Sequence, residues 1–580
     1  MIILGISAFV HDSAACLIKD GVLAANVEEE RLNRIKHTEA FPLNAIQFVL
    51  KTGKVRLSDV DIIAFNWNPY KAAAAEIFKF IIAPLIYLQI LKNSAPPKNI
   101  RSILASLRLK RTINKLFPGE FRGRIVWVDH HLAHAASSYY LSPFNRENAD
   151  VLVVDGHGEN CSTSVFSMTN GRFCLQWQAP TWDSLGILYT TFTNFLGFDI
   201  YQEGKTMALA SFGRNTFSDA FRCIIGLKPD GRYTLLNKKY LGLWNFSETG
   251  LGKEFGRKRH RDEPLEQRHF DIACSMQNSI KETILHIIRH AGAASGNRHL
   301  CLSGGVFLNC DINKEILQSN SHEHTFVPPF PSDSGGAAGA ALYAAHSLCQ
   351  DPPDRYPYFS PYQGPAYSST EILAAIQSRN LSYRQVDKPW LEAALALKNN
   401  KIIGWFQGRM ECGPRALGNR SLLASPFSSE IKEYLNAEVK KREYFRPFAP
   451  IATIEAALKY FDQEPVSELT RYMLVTTSVK REYQDKLPGI THVDGTARIQ
   501  IITREWNPAM YDLLLEFERL TGYAVLINTS FNFHEPIVCS PSDALECYCK
   551  APIDALFMGN FMLSKQEAGV QAASAANRRL

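Results

Sequence analysis

Two segments of this 580-residue chain repeat the same strand-turn-strand pattern, and the repeat constrains the fold more than any other feature. In the first segment, apolar residues 2–6 lead through the polar turn His11-Asp12-Ser13 into apolar residues 14–18. In the second, apolar residues 151–154 lead through a polar turn that begins at Asp155 into residues 162–166. Short apolar runs joined by polar turns are typical of hairpins. Their recurrence predicts an internally duplicated α/β architecture.

The length of the chain predicts more than one domain, because single cores seldom extend beyond roughly 100–200 residues. Residues 351–365 are rich in proline, which disfavours long regular structure. We therefore expect an α/β domain over residues 1–350, a linker over 351–367, a second α/β domain over 368–565 and a frayed tail over 566–580.

Composition restricts the compartment and the partners. The 12 cysteines form no CxxC pair, which favours a reducing cytoplasm over a disulfide framework. Residues 72–91 are apolar, but Glu76, Lys79 and Pro84 interrupt them, so we expect a packed amphipathic helix and no membrane span. The basic clusters lack interleaved aromatic residues, so no nucleic-acid partner is expected. Whether these clusters bind another anionic partner stays open.

A histidine pair indicates a metal site in the first domain. His130 and His134 stand four residues apart in a segment with helical character, which places both imidazoles on one face. Asp333, at the entrance of a helix of small residues, is the leading oxygen ligand, and Asp155 in the second hairpin turn is another. A mixed set of this kind suits Fe(II), Zn(II) or Mn(II). The alternative is a surface or capping pair without a metal.

Three further places in the first domain could bind a nucleotide or act on a substrate. Gly304 and Gly305 form a glycine turn before a helix start at Asn309, where backbone N–H groups could approach phosphates. Lys205 follows a glycine bend and suits a phosphate. His11, in the first hairpin turn, is a candidate general base near neutral pH. The lysine could equally lie in a surface turn, and the histidine could be a hydrogen-bonded turn residue.

Four runs in the second domain combine cations with small or amide residues: residues 408–421, 440–450, 494–498 and 528–532. The first run contains three arginines and three glycines in fourteen positions. Arginine binds phosphate or carboxylate oxygens in a bidentate manner, and glycine leaves room for the ligand. The four runs together predict a pocket for a polyanion, and surface salt bridges alone would account poorly for the accompanying Gly, Pro and Ser.

These motifs resemble the O-carbamoyltransferase family of nodulation-factor and antibiotic biosynthesis over nearly the whole chain. The most specific of them is the arginine run 408–421. The others are His11-Asp12, residues 130–135, Asp155-Gly156, residues 203–205, residues 304–306, Ser332-Asp333, residues 445–450, residues 492–496 and residues 528–532.

The resemblance implies a duplicated actin-like (ASKHA) N-terminal domain and a YrdC-like α/β C-terminal domain. It also implies roles for individual residues. His130, His134 and Asp333 are implied metal ligands, with Asp155 a less certain fourth, and His11 is implied to orient or deprotonate an acceptor hydroxyl. The implied carbamoyl-phosphate and adenylate-forming set is Arg415, Lys441, Arg446, Arg498, Ser530 and Asn532.

The implied activity is ATP-dependent O-carbamoyl transfer. Carbamoyl phosphate and ATP give a carbamoyl-adenylate, whose carbamoyl group passes to a hydroxyl of a small-molecule natural product or a saccharide. The implied cofactors are ATP with Mg(II) and a divalent metal, with Fe(II) favoured. Two alternatives are nitrogen carbamoylation, as in tRNA threonylcarbamoyladenosine synthesis, and a non-catalytic nucleotide-binding regulatory protein. The acceptor and the formation of a homo-oligomer stay open.

Overall fold

The computed structural model describes residues 1–82, 98–236, 248–348, 359–462 and 467–565. Two compact units divide the chain: Met1–Asn33 with His37–Phe359 form unit 1, and Arg34–Lys36 with the chain from Ser360 onward form unit 2. Residues 351–358 of the predicted linker and the whole of the predicted tail lie outside the described residues.

The first sheet of unit 1 is built from the opening hairpin and the strands that follow it. Its strands are β1 (Ile2–Ser7), β2 (Ala14–Lys19), β3 (Val22–Glu28), β4 (Ile62–Phe65) and β5 (Arg124–Trp127), in the order β3-β2-β1-β4-β5. β1 pairs antiparallel with β2 and parallel with β4. β1, β2 and β4 are almost wholly buried, as their apolar composition requires.

The second sheet of unit 1 repeats this topology. Its strands are β6 (Ala149–Val154), β7 (Cys161–Thr169), β8 (Arg172–Pro180), β11 (His299–Ser303) and β12 (His324–Phe326). Between β8 and β11 in the sequence, β9 (Ile225–Leu227) and β10 (Tyr233–Leu235) form a separate two-stranded sheet. The order β8-β7-β6-β11-β12, with β6 antiparallel to β7 and parallel to β11, matches the first sheet strand for strand. The prediction of a duplicated actin-like fold is confirmed.

Two helices that follow the last strands of these sheets pack closely on each other. They are α6 (His130–Tyr140) and α13 (Gly336–Leu348). A Cβ at Gly339 would overlap the carbonyl oxygen of Ala133. The run of small residues in α13 therefore allows the two backbones to approach.

Unit 1 contains eleven further described α-helices. They are α1 (Glu29–Asn33), α2 (Leu43–Gly53), α3 (Pro69–Ile82), α4 (Lys98–Leu107), α5 (Leu109–Leu116), α7 (Leu185–Phe195), α8 (Glu203–Ala210), α9 (Ser218–Arg222), α10 (Glu248–Phe255), α11 (Gln267–Ser295) and α12 (Cys310–Gln318). Within the part of the chain that the structure describes, no helix has the length and apolar character that crossing a membrane requires.

Unit 2 is an α/β domain around one mixed sheet. Its strands are β13 (Arg384–Gln385), β14 (Ile403–Phe406), β15 (Arg420–Ala424), β16 (Ala449–Thr453), β19 (Gln500–Ile502), β20 (Val525–Ser530), β21 (Ala555–Met558) and β22 (Phe561–Ser564). They lie side by side in the order β13-β22-β21-β14-β15-β20-β16-β19. β17 (Thr477–Ser478) and β18 (Thr496–Ala497) form a separate two-stranded sheet. The helices are α14 (Ser369–Ser378), α15 (Pro389–Lys398), α16 (Ser429–Tyr434), α17 (Ile454–Tyr460), α18 (Arg481–Gln484), α19 (Pro508–Thr521) and α20 (Pro541–Lys550).

Candidate functional site

The histidine pair begins α6 and meets two aspartates in the buried centre of unit 1. His130 Nε2 lies 3.2 Å from His134 Nε2, 3.3 Å from Asp155 Oδ2 and 3.4 Å from Asp333 Oδ1. His134 Nε2 lies 3.6 Å from the same Asp155 atom and 3.4 Å from the same Asp333 atom. The structure thus brings together the four side chains that the sequence nominated, from three separate parts of the chain, and the four could hold a metal ion.

The spacing and chemistry of these four donors fit a divalent cation. Ligand atoms bound about 2.1 Å from one ion lie about 3.0 to 3.4 Å apart in octahedral or tetrahedral geometry. Asp333 Oδ1 is buried and has no hydrogen-bond partner among the described residues. Two buried carboxylates also require compensating positive charge. Burial acts to raise the pKa of Asp333, but His11 and His130 beside it hold that pKa well below its usual range.

Neighbouring groups orient the ligand atoms. Ser303 Oγ donates its hydrogen to the Pro331 carbonyl oxygen and therefore accepts the N–H of His134 Nδ1 at 3.2 Å. The lone pair of His134 then lies on Nε2, which faces the other three candidate metal ligands. Asp155 Oδ1 accepts the Gly305 N–H at 2.9 Å. Gly304 has φ +99°, and a Cβ there would overlap the Val154 carbonyl oxygen. The Gly305 N–H that we expected to approach a phosphate instead donates to Asp155.

Glu159 is a buried carboxylate that the sequence did not single out. It accepts the His130 N–H at 3.0 Å and the Asn68 N–H at 2.7 Å. These contacts satisfy the first N–H group of α6 and hold the start of that helix. Burial raises the pKa of Glu159. The sequence feature that pointed toward Glu159 is its position in the same turn as Asp155.

His11 lies at the edge of the cluster. Its Nε2 is 3.5 Å from Asp333 Oδ2, and its Nδ1 is 3.2 Å from Asp12 Oδ2. The other oxygen of Asp12 is 2.8 Å from His37 Nδ1. Burial alone would lower the pKa of His11, but the Asp333 and Asp12 carboxylates raise it to about 10. The Asp12 carboxylate behind the ring therefore holds the His11 imidazole in a fixed orientation.

The other predicted residues of unit 1 have structural contacts. His131 is not part of the cluster, and its Nδ1 lies 2.7 Å from Ser164 Oγ. Asn309 caps α12 by accepting the N–H groups of residues 311 and 312. Lys205 lies inside α8 and not after a glycine bend, and its ammonium is 5.3 Å from the centre of the Phe198 ring.

Two of the three arginines in the run 408–421 are tied to backbone carbonyls. Arg420 is fully buried, stacks on the Phe406 ring and donates to the carbonyls of residues 365, 407, 408 and 419. Arg409 donates to the carbonyls of residues 363 and 364. The sequence predicted that this loop supplies three cations to a polyanion. Two of its three arginines instead stabilise the loop itself. Arg415 is partly exposed on the same loop between β14 and β15.

The lysine beside Ser530 and Asn532 is Lys440, whereas the sequence nominated Lys441. Lys440 Nζ is buried and donates to Ser530 O at 2.8 Å, Ser530 Oγ at 3.2 Å, Asn532 O at 2.9 Å and Asn532 Oδ1 at 2.6 Å. Lys441 is exposed, and its ammonium is 5.5 Å from the centre of the Phe533 ring. Burial and the nearby Arg442 hold the pKa of Lys440 well below its usual value.

Three arginines lie close to one another in the same part of unit 2. Burial, together with the positive charges of Arg446 and Arg498, lowers the pKa of Arg442 well below its usual value. Arg498 and burial also lower the pKa of Arg446. Arg442, which the sequence did not nominate, donates to Asn436 Oδ1 at 2.7 Å. Mutually repelling guanidinium groups in a partly buried place favour a bound anion.

Two models of known protein families match this chain. The family model described as Carbamoyltransferase N-terminus matches residues 2–342, and that described as Carbamoyltransferase C-terminus matches residues 394–565. The chain therefore belongs to the carbamoyltransferase family, and the protein is a carbamoyltransferase enzyme. The resemblance seen in the sequence is confirmed.

Several relatives share most of their length with this chain. It is 35% identical to Nodulation protein NolNO of Sinorhizobium fredii, over 97% of this chain and 80% of the relative. It is 29% identical to Nodulation protein U of Rhizobium tropici, over 90% of each chain. An uncharacterized protein of Synechocystis sp. is 35% identical over 97% of this chain and 96% of its own. The solved (R)-2-hydroxyglutaryl-CoA dehydratase component A of Acidaminococcus fermentans is 12% identical over 59% of this chain and 97% of its own, with a TM-score of 0.33, which adds nothing to the topology.

Proposed function

We propose that this protein is an ATP-dependent O-carbamoyltransferase that forms a carbamoyl-adenylate in unit 2. The observation that supports this proposal most is the cation cluster of Lys440, Arg442, Arg446 and Arg498. Among the residues that the structure describes, only Arg446 of these four lies within 4.0 Å of a carboxylate, at 3.9 Å from Glu443. Carbamoyl phosphate and the triphosphate of ATP are the anions that such a cluster fits.

The chemistry balances in two steps. Carbamoyl phosphate takes up water and releases orthophosphate, and an oxygen of the resulting carbamate bonds to the α-phosphorus of ATP while pyrophosphate leaves. The acceptor hydroxyl then bonds to the carbamoyl carbon, and AMP leaves. Negative charge develops on the leaving pyrophosphate, so the fixed cations of unit 2 stabilise the first transition state more than the ground state.

Residues of unit 1 suit the second step. His11, which its raised pKa keeps protonated near neutral pH, would orient the acceptor hydroxyl by donating to its oxygen from Nε2, while Asp12 holds the ring by Nδ1. His130, His134, Asp155 and Asp333 would hold the divalent metal. When bound, that metal would supply Lewis-acid stabilisation of negative oxygens. The donor set suits Fe(II), Zn(II) or Mn(II), with Fe(II) favoured by the resemblance to the family alone, and ATP would enter as its Mg(II) complex.

The test is pyrophosphate release by the full chain. Release should require both ATP and carbamoyl phosphate and should proceed without an acceptor, whereas AMP should accumulate only when a carbamoylated acceptor forms. Arg498→Ala should reduce pyrophosphate release about 100-fold or more. Arg519→Ala is the matched control, because Arg519 is an exposed arginine of the same unit paired with Glu516. Carbamoyl transfer without ATP would rule out the adenylate.

A further inference from the structure

The outward face of α3 is apolar, although the exposed face of a surface helix is normally polar. Tyr70, Ile77 and Ile81 are 64%, 61% and 68% exposed, and Phe78 beside them is exposed as well. Positions 70, 77 and 81 share one side of a helix, and Ala72 on the other side is buried in the core. Contiguous exposed apolar patches of this kind commonly mark interaction sites.

The two helices that follow α3 present cations on the same outer layer. α4 packs against α3, and α4 and α5 bury Ile103, Leu109 and Ile113 in the core that also holds Ala72. Residues 98–116 contain no aspartate or glutamate. Among the side chains of this segment that the structure describes, the exposed cations are Arg101, Arg108, Lys110, Arg111 and Lys115. The apolar stripe of α3 therefore lies beside a helix pair that contains no acidic residue.

We propose that the outer face of α3, α4 and α5 binds the surface of an anionic phospholipid membrane. Ile77, Phe78 and Ile81 would enter the boundary between headgroups and acyl chains, where they leave water. The cations of α4 and α5 would lie at the level of the lipid phosphates. Each cation near an anionic surface strengthens binding roughly fivefold.

The charges disfavour the two other occupants of such a face. A second copy joined by a two-fold axis would place this face against itself, so that five cations would meet the same five cations. A nucleic acid would match the cations and could stack on Tyr70 or Phe78, but Ile77 and Ile81 would gain nothing from contact with its charged backbone. A lipid surface satisfies the apolar stripe and the cations together.

Co-sedimentation of the full chain with vesicles tests the proposal. The protein should bind vesicles of phosphatidylcholine mixed with phosphatidylglycerol, and binding should weaken as salt shortens the screening length. It should bind pure phosphatidylcholine vesicles far less. Ile77→Ser with Ile81→Ser should reduce the partition coefficient at least about tenfold. Lys110→Glu with Arg111→Glu should reduce it at least about 25-fold.

Matched controls separate this face from general stickiness. Leu391 and Leu395 are also exposed and have the same spacing on α15, so Leu391→Ser with Leu395→Ser should leave vesicle binding unchanged. Thermal unfolding monitored by circular dichroism should be the same for all variants, because every substituted side chain is exposed. Equal binding by all variants would overturn the proposal. The proposal would also be overturned if the protein does not bind vesicles but forms a dimer, or a complex with nucleic acid, that depends on Ile77 and Ile81.

Discussion

Lys440→Met tests the cation cluster of unit 2 at its most buried member. Lys440 Nζ contacts four oxygens of Ser530 and Asn532 at 2.6 to 3.2 Å. A hydrogen bond from a charged donor contributes about 1.5–3 kcal/mol. The buried ammonium also loses several kcal/mol of hydration, which methionine does not. Because the two effects oppose each other, the free energy of unfolding should change by no more than about 2 kcal/mol.

The effect of Lys440→Met on activity should be much larger. Lys440 holds Ser530 and Asn532 in place, and displacement of positioned groups of this kind costs about 100-fold in rate. Pyrophosphate release with saturating ATP and carbamoyl phosphate measures this loss. Lys441→Gln, at the exposed neighbouring position, should retain the rate of the natural chain. The reasoning fails if Lys440→Met keeps more than about a fifth of the rate, or if both variants lose equally.

The same variant should change the pH dependence of stability. Burial lowers the pKa of Lys440, so the unfolded chain binds more protons than the folded chain between that lowered pKa and the ordinary lysine value of about 10.4. The free energy of unfolding of the natural chain should therefore rise with pH across this window relative to Lys440→Met. Urea unfolding at several pH values measures the difference. Parallel curves would contradict a lowered pKa.

Three further outcomes follow from unit 1. Asp12 has a left-handed backbone conformation (φ +55°), which asparagine also tolerates, so Asp12→Asn should not disturb the turn. Because the amide holds the His11 ring less well than the carboxylate, acceptor turnover should fall at least about tenfold. Pyrophosphate release should be unchanged. His134→Ala should reduce the metal content of the purified protein, measured by mass spectrometry, with pyrophosphate release retained; equal loss of both steps would argue against separate sites. Gly339→Ala should lower the free energy of unfolding, measured by denaturant titration, by about 3 kcal/mol, because the added methyl group has no room. Gly204 on α8 is the control, since a methyl group there would meet open space. Gly204→Ala should be neutral or should raise the free energy of unfolding by up to about 1 kcal/mol.

The metal-type cluster could be predicted from sequence because its signals are local. A four-residue spacing places His130 and His134 on one helix face wherever that helix lies, and Asp155 follows directly on a buried strand. Glu159 could not be identified in this way. Its contact with the start of α6 depends on how the second hairpin packs against that helix.

The choice between Lys440 and Lys441 depends on an irregularity of the backbone that residue patterns do not show. Residues Leu435–Val439 form a π-helical turn, and the Lys440 N–H donates to the Leu435 carbonyl five residues earlier. A π turn accommodates one more residue than an α turn and rotates the following side chains. Lys441 then adopts φ +42°, where the chain leaves the helix. Lys440 consequently points to Ser530 and Lys441 to solvent.

Internal duplication explains why the candidate site of unit 1 lies where it does. In each repeat, the first hairpin places a turn at the carboxyl end of its first strand: His11 and Asp12 in one repeat, and Asp155 in the other. In each repeat, the chain that leaves the last strand also begins a helix at that end, and these helix starts supply His130 and Asp333. Packing of α6 against α13 brings the two ends together, so corresponding positions of the repeats face one another. Since the repeats differ in side chains at these positions, one contributes histidines and the other carboxylates, and a mixed ligand set arises from a symmetric backbone.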